Sequence, residues 1–167
     1  MRSSYIRSIV KYPRATANIR IFAYVIISNK MKFDVRKLNE SDYEEILLKW
    51  WKDWGWEAPP KDFLPLDGTG GIMVSKDEKN ICAGFVYMTN SKVALTEFVI
   101  SSKEYKEDDR KDAIQFLIES LAMVAEQGGA KYCHVILKNK SLISKYKASG
   151  YVESEDKITE LIKLCQP

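Results

Sequence analysis

Four tryptophans lie within seven positions of the chain. They are Trp50, Trp51, Trp54 and Trp56. On a helix, residues three and four apart share a face, so the first three rings would form a stripe. The stripe is either the core face of the helix or an aromatic wall shared with Pro59, Pro60 and Phe63. Because aromatic faces attract cations, such a wall suits an amine or a peptide, with Trp51, Trp54 and Phe63 as candidate substrate-binding residues.

The other residue types that could carry chemistry are few and isolated. His134 is the only histidine and has no carboxylate or cysteine partner at motif spacing, which favours a structural role. The run from Gly68 to Gly71 lacks the lysine of a phosphate loop and predicts a turn. Cys82, Cys133 and Cys165 have neither zinc-ligand spacing nor an even number. We therefore expect no metal site and a reducing, cytoplasmic compartment.

Composition excludes two classes of partner. The chain has 167 residues, 46% of them hydrophobic, which fits one globular domain. Residues 1–30 contain basic but no acidic side chains, whereas residues 31–167 are slightly acidic. An acidic domain gives no basic platform for nucleic acid. The longest apolar run of the leader, residues 21–27, is far shorter than the roughly 20 residues of a membrane span, so we expect neither a nucleic-acid nor a membrane partner.

The basic leader, residues 1–30, has three interpretations. It is a transit-like peptide, a secretory signal with a late apolar core, or translated sequence upstream of a start at Met31. A domain-like pattern begins at Met31, and three free cysteines argue against secretion. We expect residues 31–167 to form a single domain and residues 1–30 to lie outside it.

The elements follow from hydrophobic periodicity. Alternation from Lys32 to Arg36 predicts a strand, and an S-x-x-E capping box at Ser41 predicts a helix that ends near Gly55. A loop rich in proline and glycine follows, and residues 70–100 predict an antiparallel meander. A helix over residues 113–127, a strand over 132–137 and a helix over 142–149 come next, with a closing strand or helix at 158–164. The fold class is α/β: a mixed sheet with an antiparallel front half, a β-α-β crossover behind it and helices on both faces.

One segment carries a family resemblance. Asn139-x-x-Leu142-x-x-x-Tyr146-x-x-x-Gly150 followed by Tyr151 resembles the late segment of the GCN5-related N-acetyltransferase (GNAT) superfamily, and the likeness extends over about residues 31–164. The run from Tyr87 to Ser91 and the tryptophan-rich helix also resemble small acetyltransferase-like proteins of phages, more weakly. The resemblance implies an acetyl-CoA-dependent transferase with a GNAT-like fold.

In the GNAT fold, acyl-CoA lies in a cleft between two strands that splay apart. The resemblance implies that the backbone at Val99 and Ile100 pairs with the pantetheine arm, and that Asn139 is a further cofactor-binding residue. The start of the following helix would hold the pyrophosphate, because free N–H groups and a partial positive charge attract anions there. The cofactor-binding residues of that helix start would be Arg110, Lys111, Asp112 and Ala113.

The chain departs from the family at this helix start. The family pattern Q/R-x-x-G-x-G/A places glycines where the backbone approaches the phosphates, but the stretch from Asp109 to Ile114 contains none. We expect Asp112 to cap its own helix and to repel phosphate, with Arg110 and Lys111 compensating in part. Acetyl-CoA binding should then be weak or absent, and Asp112→Gly should tighten it.

Two residues have candidate catalytic roles through the resemblance. Glu97 lies where some family members carry a glutamate base, and Tyr146 matches the tyrosine that serves as the acid. Alternatively, Glu97 faces solvent and Tyr146 packs against the sheet. The function expected is direct N-acyl transfer to a small amine or a peptide amine, and a homodimer is compatible with it. The alternative is a non-catalytic binding or structural protein of GNAT shape with a degenerate cofactor site.

A chain shortened to begin at Met31 should unfold at the same temperature as the full chain, because residues 1–30 carry neither strand alternation nor capping signals. Differential scanning calorimetry of the two chains measures this. A melting temperature lower by several degrees would show that the leader packs against the domain.

Overall fold

The computed structural model describes residues 32–154 and Lys163. The leader, residues 1–30, and the closing element expected at 158–164 lie outside this part, apart from Lys163. The predictions about them stay predictions.

Within the described residues, five strands form one sheet in chain order. They are β1 (Asp34–Lys37), β2 (Gly71–Lys76), β3 (Lys79–Met88), β4 (Val93–Ser101) and β5 (Tyr132–His134). The first four pair antiparallel, and β5 pairs parallel with β4. This confirms the mixed sheet with an antiparallel front half and a crossover behind it.

In the described part of the chain, three main helices and one short 3-10 turn, Lys61–Phe63, accompany the sheet. Helix α1 opens with a wide π-type turn, Tyr43–Leu47, and continues as Leu48–Trp54; α2 is Arg110–Gln127 and α3 is Lys140–Ala148. Helix α1 ends at Gly55, whose φ of 71° is the left-handed conformation that glycine adopts at helix ends.

The capping box of α1 lies two residues earlier than predicted. Asn39 Oδ1 accepts the backbone N–H groups of Ser41 and Asp42, and Asp42 Oδ2 accepts the N–H of Asn39 at 2.7 Å. Arg36 holds the same carboxylate through two hydrogen bonds of 2.6 and 2.7 Å. The bidentate pair fixes Asp42 against β1, so the reciprocal box forms with Asn39 and not between Ser41 and Glu44.

The sheet has a hydrophobic core on each face. Helix α2 covers one face, where its residues Phe116, Leu117 and Leu121 pack on Ile72 and Val74 of β2. Helix α1 covers the opposite face. Residues of that second core include Leu47, Trp50, Trp51, Met73, Phe85 and Ile100. Helices therefore lie on both faces, as predicted.

The tryptophan stripe is divided between core and surface. Trp50 and Trp51 are 5% and 3% exposed, and Trp51 packs against the ring of Tyr43. Trp54 is half-buried, and Trp56 is 48% exposed. Trp51 is therefore a core residue and not part of a substrate-binding wall, because its ring is enclosed against Tyr43 within the α1 core.

Trp51→Ala should lower the free energy of unfolding by about 3–5 kcal/mol, because it leaves a cavity in the α1 core. Trp56→Ala should change it by less than about 0.5 kcal/mol, since that ring is largely exposed. Urea denaturation of both variants measures the difference. Equal losses would contradict the division of the stripe.

Candidate functional site

Strands β4 and β5 diverge soon after they meet. Their pairing covers only Val93 to Leu95 of β4, opposite Tyr132 to His134. Strand β4 continues to Ser101, and from Thr96 onward no strand within the described residues pairs with that side. The result is an open strip of β4 backbone that includes Val99 and Ile100.

A bulge lies in β4 along this open strip. Phe85 pairs with Glu97 and Ala83 with Ile100, so Gly84 alone faces both Phe98 and Val99. Phe98 has a φ of 53°, in the left-handed region that a bulky residue rarely adopts. A Cβ at Gly84 would lie 2.8 Å from Leu121 Cδ1 of α2, so the bulge, the glycine and the helix form one packing unit.

Glu97 is directed at the gap between the diverging strands. Its Oε1 accepts the backbone N–H of Ile136, just after β5, at 3.1 Å. Burial first, and then the charge of Glu97, raise the pKa of Tyr87 to about 12. Burial, and to a lesser extent the same charge, raise the pKa of Tyr146. The carboxylate therefore lies across the mouth of the gap, within electrostatic reach of two tyrosines.

Tyr146 of α3 is buried beside β4. It is 2% exposed, and its ring meets that of Tyr151 edge to face at a centroid distance of 4.9 Å. Its hydroxyl donates a long hydrogen bond of 3.5 Å to the carbonyl of Thr96. Burial raises the pKa of Tyr146, so the phenol stays protonated at neutral pH. Within the described residues, the bond to Thr96 is the one hydrogen bond of this hydroxyl.

The start of α2 is held in place by Asp109. This buried N-cap residue does not cap the helix: its Oδ1 accepts the hydroxyl of Tyr105, and its Oδ2 accepts Lys76 Nζ of β2, both at 2.8 Å. The bond from Lys76 is the main reason that the pKa of Asp109 is lowered. The carboxylate therefore ties the helix start to β2 and leaves helix N–H groups to other partners.

The structure corrects the expectation for Asp112. Its side chain is 62% exposed and accepts Lys32 Nζ at 3.0 Å, with no cap on its own helix. Within the described part of the chain, the N–H groups of Lys111 and Asp112 have no acceptor. Lys32 partly neutralises the Asp112 carboxylate. The repulsion between this carboxylate and a phosphate is therefore smaller than the sequence predicted.

Two cationic side chains lie at this helix start, one on α2 itself and one on α3. Arg110 Nη2 donates to Ser101 Oγ at the end of β4, and its guanidinium lies 5.1 Å from the centroid of the Trp54 ring. Lys145 of α3 donates to the carbonyl of Lys111 at 2.8 Å. Sequence reasoning missed Lys145, because no local pattern relates α3 to the start of α2.

The structure also places three other expected site residues. Ala113 is fully buried and its N–H donates to the carbonyl of Asp109, so, contrary to expectation, it has no backbone N–H to donate to a ligand. Asn139 Oδ1 caps α3 by accepting the N–H groups of Ser141 and Leu142, which leaves its amide N–H groups for a ligand. Phe63 is 46% exposed and meets Phe98 of the bulge edge to face.

Trp54 lies at the far end of β4. Its indole Nε1 donates to the carbonyl of Ser101 at 2.8 Å, and its ring stacks on that of Trp56. Trp54 and Phe63 therefore border opposite ends of the bulged segment, whereas the sequence analysis placed them on one wall with Trp51.

The described residues contain no cluster of histidine, cysteine, aspartate or glutamate that could hold a metal ion. No helix in the described part is long and apolar enough to cross a bilayer.

No protein-family description and no curated protein matches the sequence. Solved structures do match. The structure of glucosamine-6-phosphate N-acetyltransferase from Arabidopsis thaliana is 11% identical, with 78% of this chain and 99% of that chain covered and a TM-score of 0.56. An aminoglycoside acetyltransferase from an uncultured soil metagenomic sample is 10% identical, with 80% and 97% covered and a TM-score of 0.57.

N-acetylglutamate synthase from Neisseria gonorrhoeae, solved with coenzyme A and N-acetylglutamate, is 10% identical over 69% of this chain and 27% of that chain, with a TM-score of 0.55. The chain thus has the α/β fold of the GCN5-related N-acetyltransferases.

Proposed function

We propose that this protein is an N-acyltransferase that moves an acyl group from acyl-CoA to the amine of a small molecule or a peptide. The observation that carries the proposal is the placement of Glu97 and Tyr146. One is a carboxylate across the mouth of the gap, and the other is a protonated phenol beside the same segment of β4. Acyl transfer to an amine requires one base and one acid at such a site.

The groups around the gap suit acyl-CoA as a substrate. The β4 strip at Val99 and Ile100 offers backbone groups to the amides of a pantetheine arm, as a further strand would. The start of α2 offers the N–H groups of Lys111 and Asp112 and the cation Arg110 to phosphate. Without glycines the backbone cannot approach as closely, so we expect weak binding of acetyl-CoA.

The reaction we propose is direct transfer. Glu97, alone or through a water molecule, removes a proton from the ammonium of the acceptor, and the freed amine attacks the thioester carbonyl carbon. The new C–N bond forms and the C–S bond breaks. Tyr146 gives its proton to the departing thiolate and recovers one from the nitrogen of the new amide. One proton is released for each acyl group transferred.

The acceptor side is supported by the aromatic rings on either side of the bulge. Phe63 lies beside Phe98, and Trp54 lies beside the end of β4. The exposed ring of Phe63 and a nearby carboxylate favour an amine cation, whereas the Trp54 ring already has Arg110 over it and Trp56 stacked on it. Two of the similar structures are named as acetyltransferases of glucosamine-6-phosphate and of aminoglycosides, which supports a small amine as the acceptor.

The second candidate function is a binding or structural protein with the same fold. The acidic, glycine-free stretch from Lys103 to Asp112 favours it. Calorimetric titration of the full chain with acetyl-CoA separates the two. Measurable saturable binding supports the transferase, and no binding at any accessible concentration leaves the binding protein.

Glu97→Gln should lower kcat by about 10²- to 10⁴-fold while the melting temperature changes little. The amide oxygen can still accept the Ile136 N–H, but it cannot take a proton. The rate of acetyl transfer to a panel of small amines, monitored through the release of the CoA thiol, measures the effect. Glu57→Gln, at an exposed loop residue, is the matched control and should retain full activity. Equal activity of the two variants would remove Glu97 from the mechanism.

Tyr146→Phe should lower kcat strongly but cost at most about 1.5 kcal/mol of stability, because the hydroxyl makes only one long hydrogen bond. Steady-state kinetics and urea denaturation of the same preparation give both values. A variant with unchanged kcat would show that the phenol only packs between β4 and Tyr151.

A further inference from the structure

Three aromatic side chains form a ring cluster beside the bulge: Phe63, Tyr87 and Phe98. The ring of Phe98 meets that of Phe63 edge to face at a centroid distance of 6.0 Å, and it lies 6.4 Å from the ring of Tyr87. Tyr87 and Phe98 are half-buried against the α1 core, whereas Phe63 is 46% exposed. The ring cluster therefore presents apolar surface to solvent at the bulge.

Glu97 lies next to this ring cluster. It stands opposite Phe85 in the register of β3 and β4, so the two side chains share the face of the sheet that α1 covers. Tyr87 lies on that face too, two residues along β3. In a regular strand Phe98 would point away from Glu97, but in the bulge its ring packs against the same α1 core. The bulge thus brings a carboxylate and an aromatic ring side by side.

The polar groups of the ring cluster are bonded within the protein. The hydroxyl of Tyr87 donates to the carbonyl of Phe63 at 3.0 Å. The backbone N–H of Phe63 donates to the carbonyl of Pro60 at 2.9 Å. A molecule bound at the ring cluster therefore meets mainly ring surface, with the Glu97 carboxylate beside it.

Such a surface distinguishes between kinds of amine. An apolar group that covers the rings is removed from water, which is favourable in proportion to the area covered. A sugar hydroxyl in the same place gives up its hydrogen bonds to water and gains none from a ring. The ammonium group itself is attracted both by the ring faces and by the carboxylate.

We propose that the acceptor is a small amine whose amine-bearing carbon carries an apolar group, and not an amino sugar. The amine lies at Glu97, and the apolar group lies on the rings of Phe63 and Phe98. Tyr87 is a positioning residue, because its hydroxyl holds Phe63 against the bulge. The inference rests on the proposed function, because it takes acyl transfer at Glu97 as the reaction.

The test compares cyclohexylamine with glucosamine, since each carries its amine on a saturated six-membered ring and only glucosamine carries hydroxyl groups. Acetyl transfer by the full chain, monitored through the release of the CoA thiol, gives kcat and KM for each amine. The kcat/KM for cyclohexylamine should exceed that for glucosamine by more than about tenfold, because an apolar pocket rejects even one added hydroxyl by up to about 10²-fold.

The two amines also differ in basicity, so variants of the ring cluster assign the preference to these rings. Phe63→Ala should raise the KM for cyclohexylamine by about tenfold, since the apolar group loses a ring to cover. It should leave the KM for glucosamine and for acetyl-CoA within about twofold of the wild type. An unchanged KM for acetyl-CoA shows that the variant is folded.

Tyr87→Phe keeps the ring and removes the bond to the Phe63 carbonyl. It should raise the KM for cyclohexylamine by about 3- to 10-fold, the value of one hydrogen bond, with a much smaller change in kcat. Tyr132→Phe, at a half-exposed tyrosine of β5 outside the ring cluster, is the matched control and should leave both constants within about twofold.

Three results overturn this inference while the transferase function stands. In the first, the wild-type preference for cyclohexylamine is less than about tenfold. In the second, Phe63→Ala keeps the wild-type KM for cyclohexylamine or changes the KM of both amines equally. In the third, the chain transfers acetyl groups to a peptide amine but not to cyclohexylamine. A chain that releases no thiol with any amine overturns the proposed function and this inference together.

Discussion

The unequal pairing of β4 on its two sides is the constraint on which the site depends. On one side β4 pairs with β3 along nearly its whole length, but on the other it pairs with β5 over only three residues. A regular strand would present backbone and side chains to β5 in strict alternation. The bulge at Phe98 breaks that alternation just beyond Leu95, the last β4 residue that pairs with β5. Backbone groups and Glu97 consequently become available at the same place.

The position of α2 follows from the same packing. Gly84 allows Leu121 to lie directly over the bulge, and Asp109 ties the helix start to β2 through Lys76. These two contacts, at Leu121 and at Asp109, therefore fix the position of the helix on the sheet. Its first turn is brought beside the end of β4, where Arg110 bonds Ser101. The position of the polar site thus depends on two interactions of α2: the apolar packing of Leu121 and the bonds of the buried Asp109 carboxylate.

Periodicity predicted every described strand and the three main helices, because alternation and helical spacing are local properties of the sequence. It could not predict which of several polar residues would cap α1, since the choice of Asn39 depends on Arg36 in a separate strand. The pairing of Asp112 with Lys32 spans 80 positions and has no local signal. The contribution of Lys145 to the start of α2 is equally non-local. A glutamate and a tyrosine could be named only through the family resemblance, and their placement around the gap required the three-dimensional structure.

Because Asp109 links the start of α2 to β2, the position of the helix depends on only some residues of the segment that precedes it. The others can be substituted. Ser102, Tyr105 and Asp109 are buried and bonded, whereas the three residues between the last two are exposed. Lys106, Glu107 and Asp108 can therefore diverge among related chains, or carry a label, without displacing the helix. In protein engineering, these positions are a surface on which new specificity can be selected next to a fixed site.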